Sequence, residues 1–180
     1  MTKTSLLVAV VLAASAGVAS AGGQAGSFGV GAEYQLSGLG GASVNYDAGQ
    51  FHVGGLLGYR DPDGPQPALF EIGGRFFYHM HSTAMSDFGI GGNLGIASVP
   101  VPAMNGNFDR HADVFLEPGV QIRVFLASNV ALSFTTGILI GVGDNKDVSI
   151  TGQGTGGSVV DFGGGNVVFN AGAGIHYYFF

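Results

Sequence analysis

The sequence predicts an all-β protein, an eight-stranded antiparallel up-and-down transmembrane β-barrel. Three observations lead to this fold class. Apolar residues alternate with small or polar residues along most of residues 27–179, which is the period of a strand whose two faces meet different surroundings. Charged residues make up 10% of the chain and glycines number 34, whereas soluble domains have about 25% charged residues and about 7% glycine. The chain also begins with an export signal.

The first 21 residues have the pattern of a cleaved secretory signal. Lys3 gives the positive start, Leu6 to Ala14 give the apolar run, and Ala19-Ser20-Ala21 gives an A-x-A cleavage site. The apolar run is too short to cross a hydrocarbon core of ~30 Å as a retained helix. We therefore expect cleavage after Ala21 and one barrel domain from Gly22 to Phe180.

The first four predicted strands carry large apolar residues at every second position, with glycine, polar or charged residues between them. Their apolar members run from Phe28 to Leu36, Ala42 to Tyr46, Phe51 to Tyr59 and Phe70 to Tyr78. A tilted strand needs about 9–11 residues to cross a bilayer. The second strand, Gly41 to Asp47, is the shortest of the set.

The last four predicted strands continue the alternation. Their apolar members run from Phe88 to Ile96, Val114 to Val124, Val130 to Val142 and Val167 to Phe179. Hydropathy alone would allow a helix over Val124 to Gly143, but Ala127-Ser128-Asn129 is a turn signal inside it and its residues favour strands. Leu139 is the one misfit in the seventh strand. Pro118 interrupts the sixth strand, where its missing N–H predicts a local bulge.

A membrane barrel explains the alternation better than a soluble one. Large aromatic residues fall near strand ends, as an aromatic girdle requires; they are Tyr34, Tyr46, Tyr59, Tyr78 and Tyr177. The opposite face is mostly glycine and small polar residues, which suits a narrow lumen. An open sheet edge in hydrocarbon would leave backbone groups unpaired, so the sheet must close, and eight is an even number as bacterial barrels require.

The connections also have the asymmetry of a barrel with short periplasmic turns and longer outer loops. With the N-terminus on the periplasmic side, the turns fall at Ala48-Gly49, His81 to Ser86 and Ala127 to Asn129. The outer loops fall at Ser37 to Gly40, Asp61 to Pro67, Ser98 to Arg110 and Asp144 to Gly164.

The inward face carries the charges. An eight-stranded barrel is just wide enough to be filled by its side chains, so charges inside it must pair. The predicted lumen network is structural and consists of Glu33, Glu71, Arg75, Asp113, Glu117 and Arg123. Arg75 is expected to bridge Glu33 and Glu117 across the lumen. The alternative is a gated ion path that opens when these pairs exchange.

These features resemble the small bacterial outer-membrane β-barrel family, which includes the membrane domain of outer-membrane protein A. The most specific point of resemblance is the C-terminal strand, where Ile175, Tyr177 and Phe179 alternate and Phe180 is an additional aromatic end. The resemblance implies that these residues form the signal read by the barrel-assembly machinery. It also implies a Gram-negative outer-membrane location in contact with outer-membrane lipids.

The expected function is structural, surface-interacting or limited porin-like passive transport, without catalytic, cofactor-binding or metal-binding residues. The chain has no cysteine, which removes disulfides and thiolate sites, and 6 Lys and Arg against 12 Asp and Glu, which disfavours nucleic acid. Two alternatives stay open, a soluble secreted β-barrel and a deacylase-like lipid-modifying enzyme.

A deacylase needs Ser, His and an acid within hydrogen-bond reach, and the nearest candidate is His79-Met80-His81-Ser82 in a predicted periplasmic turn. His79 and His81 are expected to share one face of their strand, but two ligands do not make a zinc site.

Overall fold

The structure, a computed structural model, describes residues 24–36, 40–62, 64, 67–103, 106–142, 158–161 and 166–179. The predicted signal, residues 1–21, and most of the predicted fourth outer loop lie outside the described residues. The strands are β1 (Ser27–Tyr34), β2 (Gly40–Asp47), β3 (Phe51–Arg60), β4 (Leu69–Ser82), β5 (Ser86–Pro102), β6 (Phe108–Ala127), β7 (Val130–Val142), β8 (Ser158–Asp161) and β9 (Asn166–Phe179).

Eight of these strands form a closed antiparallel barrel. Strands β1 to β7 pair in chain order, β7 pairs with β9, and β9 closes the sheet by pairing with β1. Neighbouring strands are strongly staggered along the barrel axis. When the paired residues are followed from strand to strand around the barrel, Ser27 of β1 leads to Asn170 of β9, whereas the direct pairing of β1 with β9 joins Phe28, the next residue, to Phe179. This stagger is the tilt that a closed barrel requires, and the predicted fold class is confirmed.

The alternation of side chains is also as predicted. Phe134 on β7 is 52% exposed, whereas Glu71 and Arg123 are 0% and 3% exposed. In the segment Val124 to Gly143, for which hydropathy alone would allow a helix, the structure has the end of β6, the turn at residues 128–129 and the whole of β7. Among the described residues there is no helix of the length and hydropathy that a membrane span needs. Residues 48–50, 83–85 and 128–129 form short turns at one end of the barrel, called the turn end below; the opposite end is the loop end.

The hairpin β5–β6 is longer than predicted. The segment Ser98 to Arg110 was expected to be a loop, but β5 runs to Pro102, where it pairs with Phe108 of β6. The pairing of β4 with β5 ends at Ser98, so the tip of this hairpin extends past β4. Pro100 and Pro102 are tolerated because the edge of β5 has no neighbouring strand there to receive an N–H.

A ninth strand is the other addition. β8 lies inside the predicted fourth outer loop and pairs with Asn166–Phe169 of β9. Val168 and Phe169 also pair with β7, so β8 occupies the other edge of β9, the one that β1 occupies nearer the turn end. The eight barrel strands are otherwise the eight predicted ones.

The bulge expected at Pro118 is wrong. Leu116 pairs with Ile140 and Gly119 with Gly137, so equal numbers of residues separate the two pairs on both strands. The carbonyl of Pro118 faces β7 at Gly137, and the N–H that proline lacks would point the same way. The proline therefore interrupts the ladder toward β7 without inserting an extra residue.

A bulge does occur at Met80, and it corrects the expectation that His79 and His81 share a face. His79 pairs with Gly89 and His81 with Phe88, which leaves Met80 as the extra residue of β4. Directly paired residues project to the same side of a sheet. His79 therefore points into the lumen, where it is 8% exposed, and His81 joins Phe88 on the outer surface.

Two glycines of neighbouring strands should respond differently to a methyl group. A Cβ on Gly91 of β5 would collide with the backbone of Phe76 and Phe77, whereas a Cβ on Gly74 of β4 would meet nothing closer than 3.7 Å. We expect Gly91→Ala to lower the free energy of unfolding by ~1–3 kcal/mol. Gly74→Ala should leave it unchanged or raise it by up to about 1 kcal/mol.

Urea titration of both variants, refolded in the same detergent, measures the difference. An equal response of the two variants would contradict the close approach of β4 and β5 at Gly91.

Candidate functional site

The lumen is the one region where the described chain collects charge away from solvent. Five carboxylates are buried there against two guanidinium groups and three imidazoles. They belong to Glu33, Asp47, Glu71, Asp87, Glu117, Arg75, Arg123, His52, His79 and His176. Five of the six predicted lumen residues are in this set. The sixth, Asp113, is half-buried toward the loop end of β6.

Arg75 of β4 reaches across the lumen to β1. Its Nη1 forms an ion pair with Oε2 of Glu33, and both side chains are almost fully buried. Glu117 accepts a hydrogen bond of 2.6 Å from Nδ2 of Asn93. The structure thus brings Arg75 to Glu33, as expected, while the bridge from Arg75 to Glu117 stays a prediction.

Glu33 also lies beside a serine and histidine pair, but not in the geometry of a catalytic triad. Nε2 of His176 is 2.6 Å from Oγ of Ser43 and 3.7 Å from Oε2 of Glu33. In a triad the acid holds Nδ1 while the serine faces Nε2, whereas here both groups approach the same nitrogen. Ser43 and His176 are 3% and 1% exposed. This arrangement joins three strands inside the barrel, and its serine hydroxyl is buried.

A second ionic cluster, centred on Arg123, lies at the turn end. Nε and Nη2 of Arg123 donate to Oδ2 of Asp87 over 3.0 and 2.6 Å, and Nη2 is 2.5 Å from Oδ2 of Asp47. Nη1 donates to the hydroxyl of Tyr178 over 3.0 Å. The guanidinium carbon also lies 5.0 Å from the ring centre of Phe125, within the range of a cation–π contact.

Three partners of Arg123 were missed at the level of the sequence: Asp47, Asp87 and Tyr178. Both aspartates adjoin turns, where an acid is ordinarily a turn residue. The sequence feature that indicates their inward orientation is strand parity, because each aspartate lies an even number of positions from an inward-facing residue of its own strand. Strand parity also assigns the faces of the last residues of β9: Tyr178, which is 2% exposed, points inward, and Phe179, which is 55% exposed, points outward. Phe180, the last residue of the predicted assembly signal, lies outside the described residues.

Apolar side chains form two buried clusters inside the barrel. Phe125, Ala131 and Tyr178 pack together at the turn end. Ala97, Phe115 and Leu139 pack together nearer the loop end, which accounts for the misfit of Leu139 in the apolar pattern of its strand. Glycines opposite the aromatic rings provide the space that the rings occupy. A Cβ on Gly29, for example, would lie 2.8 Å from the ring of Tyr178.

Two histidines at the turn end are joined directly. Nδ1 of His52 is 2.8 Å from Nε2 of His79, and Nδ1 of His79 is 2.8 Å from the carbonyl oxygen of Gly49 in the β2–β3 turn. The ring of His52 stacks on that of Phe77 with centroids 5.5 Å apart. Within the described ranges, no three His, Cys, Asp or Glu side chains are grouped so that they could hold a metal ion.

Comparison with known proteins adds one relationship. No family model matches the chain, and no curated protein sequence matches it. Among solved structures, the chain is similar to the N-terminal β-barrel domain of OprF from Pseudomonas aeruginosa. The TM-score is 0.56 at 11% sequence identity, and the match covers 88% of this chain and 99% of that domain. The similarity therefore concerns the fold.

Proposed function

We propose that the protein is an integral outer-membrane β-barrel with an occluded lumen, and that its role is structural or surface-interacting, with at most limited passive transport. The observation that carries this proposal is the inverted distribution of polarity. Among the described residues, 27 large hydrophobic side chains are exposed, while the buried set has 18 polar or charged residues against nine apolar ones. A monomer in water rarely exposes such a surface, but acyl chains require it.

The ends of the apolar surface support the same environment. At the turn end, Phe28 and Tyr46 form an aromatic pair with centroids 4.9 Å apart, and Tyr177 and Phe179 form another at 5.1 Å. At the loop end Tyr59 is 60% exposed. Aromatic girdles of this kind mark both interfaces of a membrane barrel. The proposal includes export through the predicted signal and insertion by the assembly machinery.

The interior supports occlusion rather than an open pore. Charged pairs and two apolar clusters are buried inside the barrel, and an eight-stranded barrel is just wide enough for side chains to fill it. The Ser43–His176–Glu33 contacts lack the order of a triad and are buried, which supports a non-enzymatic role.

Extraction tests the membrane location. We expect the protein to stay in the membrane fraction through a carbonate wash, and to migrate differently in electrophoresis with and without boiling. The rival soluble barrel would be released by carbonate. That release, from a preparation in which a known integral protein is retained, would sink the proposal.

Single-channel recording tests the lumen. We expect no conductance steps from wild type or from Arg75→Ala, because the aromatic and aliphatic clusters close the path independently of the Arg75–Glu33 pair. A larger porin reconstituted in the same bilayers is the positive control. Steps that appear only in Arg75→Ala would favour the gated path over the plug.

Lipid A mass spectrometry tests the enzymatic alternative. We expect identical acyl patterns in cells with and without the protein. A deacylated species that depends on the protein would establish the lipid-modifying enzyme instead.

A further inference from the structure

We propose that His52 and His79 form an acid-sensitive latch at the turn end of the lumen, which binds one proton without change and is forced apart by a second. The inference rests on the interior geometry of the barrel and not on its location. His52 and His79 are 2% and 8% exposed, so the pair is part of the packed interior. Its hydrogen bonds restrict where protons can be placed.

The contact with the β2–β3 turn fixes one proton. A carbonyl oxygen only accepts hydrogen bonds, so Nδ1 of His79 must carry the hydrogen that it donates to Gly49. In neutral His79, Nε2 is then the acceptor, and Nδ1 of His52 carries the hydrogen between the two rings. The neutral pair thus has a defined tautomer for both histidines.

A first added proton leaves this arrangement intact. It can be placed on Nε2 of His52, and the resulting imidazolium still donates from Nδ1 to His79. The hydrogen bond becomes charge-assisted, which strengthens it. A second added proton must go to Nε2 of His79, the last acceptor. Two N–H groups would then face each other across 2.8 Å, each on a cation, and the rings must separate.

The surroundings of the pair oppose added positive charge, and a second positive charge more than the first, because both rings are buried and the guanidinium group of Arg123 lies nearby. Asp47 is the cross-strand partner of His52, and with Asp87 it holds Arg123. A second proton creates an uncompensated positive charge in a buried layer, which is costly.

The remaining elements around the pair do not offset that charge. The titratable or charged groups that face the pair are Asp47 of β2, Arg75 of β4, Asp87 of β5, Arg123 of β6, and His176 and Tyr178 of β9. Strand β1 presents Ser27 and Glu33 to the interior, with Glu33 paired to Arg75, and strand β7 presents Ala131 and Ser133. The carboxylates among these groups are already engaged, Asp47 and Asp87 by Arg123 and Glu33 by Arg75.

Separation of the rings should loosen the turn end, because His79 links the interior to the β2–β3 turn and His52 packs on Phe77. The backbone N–H of His79 also donates to the carbonyl of Gln50 over 2.8 Å, so movement of His79 strains the same turn. The expected consequence is that water reaches the buried layer at the turn end in acid.

Thiol labelling tests the latch, because the chain has no cysteine. Ser27→Cys reports on the buried layer, since Ser27 is 2% exposed, and Ser128→Cys in the exposed β6–β7 turn corrects for the pH dependence of the thiol. Folded protein in detergent is labelled with a small maleimide from about pH 8 to about pH 4, a range around the ~6.5 of free histidine. The ratio of the two labelling rates is the readout.

In the parent protein we expect the ratio of the two labelling rates to be constant near neutral pH. Below a threshold pH, the ratio should rise by up to about tenfold for each further pH unit of acidification, the limit for one coupled proton. In His79→Asn, the amide nitrogen replaces Nδ1 at Gly49 and no acceptor titrates, so the ratio stays flat. In His52→Asn, the amide donates to His79 and the first proton breaks the contact, so the rise begins at higher pH. The outer-surface variant His81→Asn should match the parent.

Unheated electrophoresis at neutral pH confirms that each variant is folded before labelling. A flat ratio in the parent overturns the proposal. So does an acid rise that persists in His79→Asn, or one that begins at the same pH in His52→Asn as in the parent.

Discussion

Replacing Arg123 with methionine is expected to lower the free energy of unfolding by about 3–5 kcal/mol, the cost of breaking a buried ion pair from one side. The side chains of Asp47 and Asp87 are 0% and 6% exposed, so both carboxylates would be left in the interior without the cation. The hydroxyl of Tyr178 would lose its donor as well. The measurement is urea unfolding in detergent, followed by the gel shift between boiled and unboiled samples.

Arg110→Met is the matched control. Arg110 is exposed on the β5–β6 hairpin and donates to Ser98 Oγ over 3.0 Å and to the carbonyl of Ala68 over 3.2 Å. An exposed polar contact of this kind contributes about 1 kcal/mol or less.

The triple variant Arg123→Met with Asp47→Asn and Asp87→Asn should recover most of the stability, because it removes the charges together. If Arg123→Met costs no more than Arg110→Met, the cluster does not stabilise the barrel.

The second large effect is expected on the outer surface, where Leu94→Arg should cost about 2–4 kcal/mol in a bilayer, the range for a cation on the lipid face near the midplane. Leu94 is 58% exposed, and its cross-strand partners, Gly74 and Leu116, both face outward. In a bilayer an arginine at this position would lie on the apolar outer surface, beside Leu116.

Met85→Arg separates the lipid effect from exposure alone. Met85 is 59% exposed but lies in the β4–β5 turn, at the end of the barrel. If the protein were surrounded by water, the two substitutions should lower the free energy of unfolding by nearly the same amount. In a bilayer, only Leu94→Arg should lower it substantially. Unfolding from liposomes compares them, and equal costs would contradict the proposed membrane environment.

The strand pattern was readable from the sequence because a strand has a period of two and the two faces of this barrel meet opposite environments. Because of that contrast, the alternation predicted the orientation of each of the eight barrel strands, including the inward positions of Glu71, Arg75 and Arg123. Leu139 was predicted as a misfit for the same reason, and the apolar cluster with Ala97 and Phe115 explains it. The extension of the β5–β6 hairpin through Pro100 and Pro102 could not be predicted from the sequence. Proline indicates a loop unless it is known that the strand has no hydrogen-bonded neighbour on the side where the N–H is missing.

The barrel architecture could be predicted from the sequence alone, because face alternation depends only on neighbours along the chain. The contacts inside the barrel required the folded structure: Arg123 binds Asp47, Asp87 and Tyr178, His52 contacts His79, and a bulge at Met80 turns His81 outward. Those pairings depend on the stagger between strands. Stagger is set by the closure of the whole sheet, which no local pattern records.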